Sequence, residues 1–346
     1  MCWSSSTYWV SPGNWQLMGR PTNADKARLD EYLLSSSLPL PIDSRNLDAA
    51  DLAKYSPWKQ PWWRATHGDG PVLFWVILIH VAAVVGLVLT PFPGWKVLVA
   101  SAVLYFLGGL GTTVGFHRAL AHKSVRLHPI SRSWMNLFAM LNGSGSPLSW
   151  VAYHRLHHAK SDTPDDISSP RVGGFWWSHL RWLWQAGKPP IRRYCRELDT
   201  AEFRFWSRLQ LPILLVAFFM GAPFGLAAFF WLGPIRLVLA LHGQCCVNSV
   251  CHMRKGAAPG EGTASNVGWL ALLHCGQGEN WHQNHHDRPG SARIGWGFSQ
   301  LDFGWLTILL LEKLGLASDI RYPSAAPSAP VAPSVVENLR EPELNP

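Results

Sequence analysis

Nine of the fifteen histidines in this 346-residue chain stand at spacings that could gather metal ions. Three boxes hold eight of them: His117-Arg-Ala-Leu-Ala-His122, His154-Arg-Leu-His157-His158 and His282-Gln-Asn-His285-His286. The ninth, His252, closes Asn248-Ser-Val-Cys-His252. On a helix, residues i, i+3 and i+4 share a face. His154, His157 and His158 are therefore expected to aim at one point, and His282, His285 and His286 at another. His117 and His122 are five residues apart, about 140° off alignment on an α-helix. That box needs a helix end, or metal ions on two sides.

Nine imidazoles exceed the capacity of one ion, and two ions with four or five ligands each fit the count. Imidazole suits zinc, copper, iron and nickel. Zinc usually closes at four ligands, so a two-metal, nearly all-histidine site favours redox iron. Neutral ligands leave the metal charge uncompensated, and carboxylates are expected to accept the far N–H of the rings. Asp162, Asp165 and Asp166 follow the second box, and Glu279 and Asp287 flank the third. The other histidines, among them His67, His80, His128, His179, His242 and His274, read as packed or incidental. No phosphate loop or dinucleotide fingerprint is visible, so no flavin or nicotinamide is expected, and no haem.

The elements that must carry these boxes are apolar. The chain is 48% apolar and 15% charged, against roughly 25% charged in an ordinary soluble domain. Residues 71–90 carry no formal charge and are long enough to cross a hydrocarbon core of roughly 30 Å. Pro91-Phe-Pro-Gly94 then turns the chain, and 96–114 returns. A second pair is expected at 211–231 and 235–250, joined at Leu232-Gly-Pro234. Gly108, Gly109 and Gly111 read as close helix packing. The chain thus reads as an all-α integral membrane protein whose four transmembrane helices form two hairpins.

Lys and Arg number seven before residue 71, fourteen between 116 and 210 and seven after 250, with one near each outer turn. Twenty-eight of the thirty lie on the side of the termini, which the positive-inside rule makes the cytoplasm. All nine histidines border that side. The net charge of +8 is explained by an anionic lipid face, without nucleic acid. Twenty tryptophans suit membrane–water interfaces. The six cysteines show no scaffold spacing, so disulfides are not expected. The first twenty residues lack the build of a signal peptide. Residues 1–70 read as a polar cytosolic lead-in with a short amphipathic helix near 24–34. Residues 71–318 read as the membrane domain, and 319–346 as a Pro/Ala/Ser-rich disordered tail. A metal transporter would place ligands along a path inside the spans. Only His80 and His242 lie deep, so transport is a remote alternative.

Four stretches resemble the membrane fatty acid desaturases of the Δ9 acyl-CoA and acyl-lipid branch: 111–124, 149–158, 248–252 and 278–286. Phe175-Trp-Trp-Ser-His179 is a further likeness. The resemblance covers roughly residues 70–318. It implies four transmembrane helices under a cytosolic helical cap holding a di-iron site. The nine histidines would bind two iron ions, and Asn248 would hold a water on one of them. O2 would be activated there to remove two hydrogens from neighbouring methylenes of a fatty acyl substrate, carried as a CoA, lipid or carrier-protein ester. Electrons would come from an external carrier of the cytochrome b5 or ferredoxin type. Tyr105, twelve residues before His117, would form the floor of the acyl tunnel and favour chains of about sixteen carbons or fewer. The sequence departs from the family pattern at Asn280, at Gln283, at Asp166-Ile-Ser168 and at Tyr153. These departures leave every expected ligand in place and put the carrier and regiochemistry in question. A di-iron lipid hydroxylase or epoxygenase would share the same ligands.

Overall fold

The computed structural model describes residues 57–322, apart from 162, 164 and 255–261. The expected helix at 24–34, Asp162 and the tail beyond 322 lie outside the described residues. Helix α1 (Gly70–Leu89) begins with Pro71 in its first turn, where a missing N–H costs nothing. After a turn at Gly94 (φ 84°), α2 runs over Trp95–Ala121. It is α-helical to Leu110 and π-helical from Gly111 to Ala121. Two cap helices follow, α3 (Pro129–Leu141) and α4 (Pro147–Lys160). The His128 ring and the Ser146 hydroxyl accept the first free N–H groups of these two helices. The pair α5 (Ala201–Arg208) and α6 (Gln210–Phe219) is bent by 42°. Then come α7 (Leu226–Ser249), α8 (His282–Asp287) and α9 (Phe303–Lys313). A two-residue antiparallel ladder, β1 (Arg126–Leu127) with β2 (Ala317–Ser318), ties the chain after α9 to the end of α2.

Among the described residues three helices, α1, α2 and α7, are long and apolar enough to cross a membrane, and the bent pair supplies a fourth crossing if counted as one. The first hairpin falls where expected. The second does not: α7 is continuous through Pro234, and the turn lies at Gly221–Gly225. The physical reason is a π-helical stretch at Trp231–Ile235 that absorbs the missing N–H of proline. Gly225, at φ 99°, takes the left-handed turn instead.

Arg236 therefore sits in mid-span rather than on an outer turn. It is buried, with no carboxylate beside it among the described residues. Its five N–H groups are all met. Nε donates to Leu232 O (2.7 Å), Nη1 to Leu141 O and Asn142 Oδ1 (both 3.0 Å), and Nη2 to Ala217 O (3.4 Å) and Met220 Sδ (3.8 Å). Among these acceptors Leu141 O is the last carbonyl of α3, which has no partner within its own helix. The end of α2 is gripped between α3 and α4, with Phe116, Leu120 and Ala121 packed on Ala139, Met140, Leu148 and Val151. Glycine permits that approach. A side chain at Gly111 would overlap the backbone of Ala139 and Met135, and one at Gly108 would meet Asn142.

Candidate metal centre

The nine histidines converge from four elements into two groups. His117, His122, His154, His158 and His285 form one, and His157, His252, His282 and His286 the other. Within each group one ring nitrogen from every residue lies within 4.8 Å of all the others. Opposite nitrogens on one first-row ion stand roughly 4.2 Å apart, so each group has close to the dimensions of a single coordination sphere.

The expectation of one common point per box is corrected. Each HxxHH box is shared between the two groups. Neighbouring residues on an α-helix diverge by about 100°, so His157 and His158 cannot reach one ion, nor can His285 and His286. The i, i+4 pairs stay together: His154 with His158, and His282 with His286. The five-residue box is reconciled differently. In the π-helix the His122 N–H donates to His117 O (3.0 Å), an i→i+5 bond that widens the turn and brings the two rings edge to face, 4.9 Å apart, in one group.

The nitrogens meet in a way that hydrogen bonding does not satisfy. His285 Nε2 faces His117 Nε2 at 3.1 Å and His158 Nε2 at 2.9 Å. His286 Nε2 faces His157 Nε2 at 3.4 Å and His282 Nε2 at 3.1 Å. A ring nitrogen has one in-plane site, for either a proton or a lone pair, so it cannot serve two partners. His117 and His157 each turn Nδ1 to a carboxylate, Glu279 at 2.9 Å and Asp166 at 2.9 Å. That contact places the proton on Nδ1 and leaves the Nε2 lone pair directed inward. Converging lone pairs fit a cation at the centre of each group.

Burial first, and neighbouring imidazoles second, hold His122, His154, His158, His282, His285 and His286 well below the usual histidine range. The rings are thus neutral, as ligands must be. Burial pushes the Glu279 carboxyl up, but His117, the Arg118 guanidinium and the Thr113 hydroxyl outweigh it and bring it down to about 2. Asp166 is likewise held below the usual carboxylate range: burial raises it, and His157 with the Ser168 N–H lowers it further. Of the other expected carboxylates, Asp165 pairs with Lys160 (3.2 Å). Asp287 is exposed at the mouth of a cavity of about 250 Å³ beside His286 and contacts no histidine among the described residues. His252 instead turns Nδ1 to Thr263 Oγ1 at 3.2 Å. Asn248 lies half-buried in the last turn of α7.

The family profile "Fatty acid desaturase" matches residues 93–302. The chain belongs to the fatty acid desaturase family. A Delta-9 acyl-lipid desaturase of Arabidopsis thaliana is 33% identical over 285 residues, 78% of this chain and 88% of the relative. An sn-1 stearoyl-lipid 9-desaturase of Synechocystis is 35% identical over 268 residues, 73% and 80% respectively. An acyl-CoA 5-desaturase of Anemone leveillei is 33% identical over 296 residues, 81% and 87%. The protein is thus a membrane fatty acid desaturase, an oxidoreductase acting on a fatty acyl substrate, with a histidine-rich metal site.

Several residues of this desaturase that hold the centre carry no obvious sequence signal. Arg118, buried beside His117, pairs with Asp302 at 2.7 Å and donates to Gln277 O and Ala292 O, locking the third box to α2. Arg155, between the ligands of α4, donates to Leu120 O and Ala121 O at the open end of α2. A basic residue inside a histidine box was the available hint in both cases. His80, His179 and His242, read from sequence as incidental, form a chain. His80 Nδ1 meets Val76 O (2.6 Å), His80 Nε2 meets His242 Nε2 (3.0 Å), His242 Nδ1 meets His179 Nε2 (2.8 Å) and His179 Nδ1 meets Ser249 Oγ (2.8 Å).

Proposed function

We propose that this desaturase introduces a cis double bond at the Δ9 position of a saturated acyl chain, using O2 and two electrons from an external carrier of the cytochrome b5 or ferredoxin type. The observation that carries the reading is the five-plus-four grouping of inward-facing imidazole nitrogens, with carboxylates on the far nitrogens of His117 and His157. The relatives include 9-desaturases acting on lipid esters, and this supports both the position and an acyl-lipid substrate. Two iron ions would supply the oxidising chemistry on O2. Iron suits an almost all-imidazole donor set of nine better than zinc does.

The chain's own residues perform the rest. The nine histidines hold the metals, and Asn248 holds a water beside His252. Glu279 and Asp166 fix the tautomers of His117 and His157. The overall change balances as a saturated acyl chain, O2, two electrons and two protons giving the monoene and two waters. Tyr105 forms the tunnel floor: its phenol donates to Leu273 O and closes on Gly243 of α7. This favours chains of about sixteen carbons or fewer. The excess of Lys and Arg on the side of the termini supports a cytoplasmic active site.

The test is gas chromatography–mass spectrometry of fatty acids from a desaturase-deficient host expressing the chain, beside a His157→Ala control. A new monoene absent from the control is expected, and its double-bond position fixes the regiochemistry. A hydroxylated product would move the assignment to oxygen insertion. A double bond at position 5 or 7 would overturn the Δ9 reading alone.

A further inference from the structure

The segment between His252 and the third box makes a detour. Val267 N donates to Asn280 O (2.9 Å), and Asn266 bridges to Trp281, so the chain leaves and returns at the same point beside α8. Between these ends it descends along the spans. Leu273 O accepts from Tyr105, His274 Nε2 meets Gly243 O (2.8 Å) and Gln277 Nε2 donates to Phe106 O (2.7 Å). Tyr105 lies twelve residues before His117, and Gly243 nine before His252. Gly243 lies six residues inside the end of α7 at Ser249, so at about 1.5 Å per residue the tip reaches roughly 9 Å below that helix end.

Residues 262–278 contain no Asp, Glu, Lys or Arg. The outer surface of the detour is apolar and open, with Trp269 61% and Leu272 87% exposed. Leu306, Leu310 and Leu314 continue it at i, i+4 and i+8 on α9, and the Phe303 ring meets Phe106 of α2. On α2, beside Phe106, Val99 and Val103 are exposed as well. So much exposed apolar surface is foreign to a water-facing cap. Irregular backbone at membrane depth must satisfy its own polar groups, and this one does. The N–H groups of Leu270, Ala271, Leu272, His274, Cys275, Gly276 and Gln277 all donate to carbonyls within the loop.

We propose that residues 267–277 form a re-entrant wedge which, with the outer face of α9, is embedded among the lipid acyl chains of the leaflet nearest the histidines. The partner is the bilayer itself. The third histidine box is then carried on an element anchored in lipid.

The test places a nitroxide at Leu272→Cys and, separately, at Leu310→Cys in the full chain reconstituted in phosphatidylcholine nanodiscs. Val103→Cys serves as the lipid-facing reference, and the labelled parent chain supplies the background. Power-saturation spectroscopy compares collisions with oxygen, which concentrates in lipid, and with a water-soluble nickel chelate. Collisions with oxygen exceeding those with nickel at both sites, as at Val103→Cys, are the expected result. Nickel exceeding oxygen would place the wedge in water and overturn the proposal. Protection from both would mean that protein covers it, which overturns the proposal equally. Leu272 and Leu310 are both well exposed, and monodisperse elution of each labelled protein checks folding.

Discussion

Glu279→Gln is the sharpest test of how the centre is held. The carboxylate lies against His117 Nδ1 with both oxygens, at 3.0 and 2.9 Å, and accepts from Thr113. Glutamine keeps the shape and one acceptor but removes the charge. Charge-assisted hydrogen bonds are worth about 1.5–3 kcal/mol against about 0.5–1.5 for neutral ones. The substitution therefore costs about 1 kcal/mol at His117 from this contact alone, several-fold in affinity. Losing an outer partner of a ligating histidine typically costs about 10–100-fold in metal affinity or activity, or about 1.4–2.8 kcal/mol. The larger figure applies here, because Glu279 is the only anion on the group of five among the described residues. The group of four keeps Asp166. The assay is metal per chain by mass spectrometry across a chelator series, with monoene yield measured alongside. The expected result is that half the metal leaves at a lower chelator concentration, and that activity falls with it. Two metals retained to the same chelator midpoint as in the parent would refute the account of His117.

Arg118→Met leaves Asp302 buried and unpaired, which costs about 3–5 kcal/mol. A lowered melting temperature and weaker metal retention in both groups, which share the third box, are expected, and an unchanged melting curve would argue against the lock. Six histidines of the centre have values held below the usual 6.5 by burial and by one another. Below that pH the unfolded chain takes up protons that the folded centre refuses, so stability is full above it and falls as pH drops through it. Metal retention has the same sign, and equal metal content after dialysis at about pH 8 and about pH 5.5 would refute this. Tyr105→Ala opens the space against Gly243 and Leu273. The product profile should move toward longer chains, and an unchanged profile would remove Tyr105 from the tunnel floor.

How much of this was legible in the sequence follows from what each signal encodes. Uncharged length located the turn of the first hairpin within a residue or two, but ended its second helix at 114, seven residues before the π-helical run stops at Ala121. It failed at Leu232-Gly-Pro234, because proline reads as a break and a π stretch lets α7 pass through it. Spacing singled out the nine histidines that the fold gathers into two groups but misjudged their partition. A shared face is a weaker constraint than the divergence of adjacent residues, and that divergence sends His157 and His158 to different groups. Asp166 and Glu279 were found by proximity in sequence to the boxes. Asp302 was not, because it meets Arg118 across 184 residues. The chain through His80, His242 and His179 was invisible for the same reason.

The wide turn of α2 has a consequence for counting. Along Trp95–Leu110 each residue advances the helix by the ordinary α angle, and from Gly111 to Ala121 by a smaller one. The lipid-facing stripe of Val99 and Val103 and the inward-facing pair of His117 and His122 are therefore set on two different screws cut into one rod. Neither face can be extrapolated into the other by a single period. The length of the chain between them is as much a part of the centre as the imidazoles.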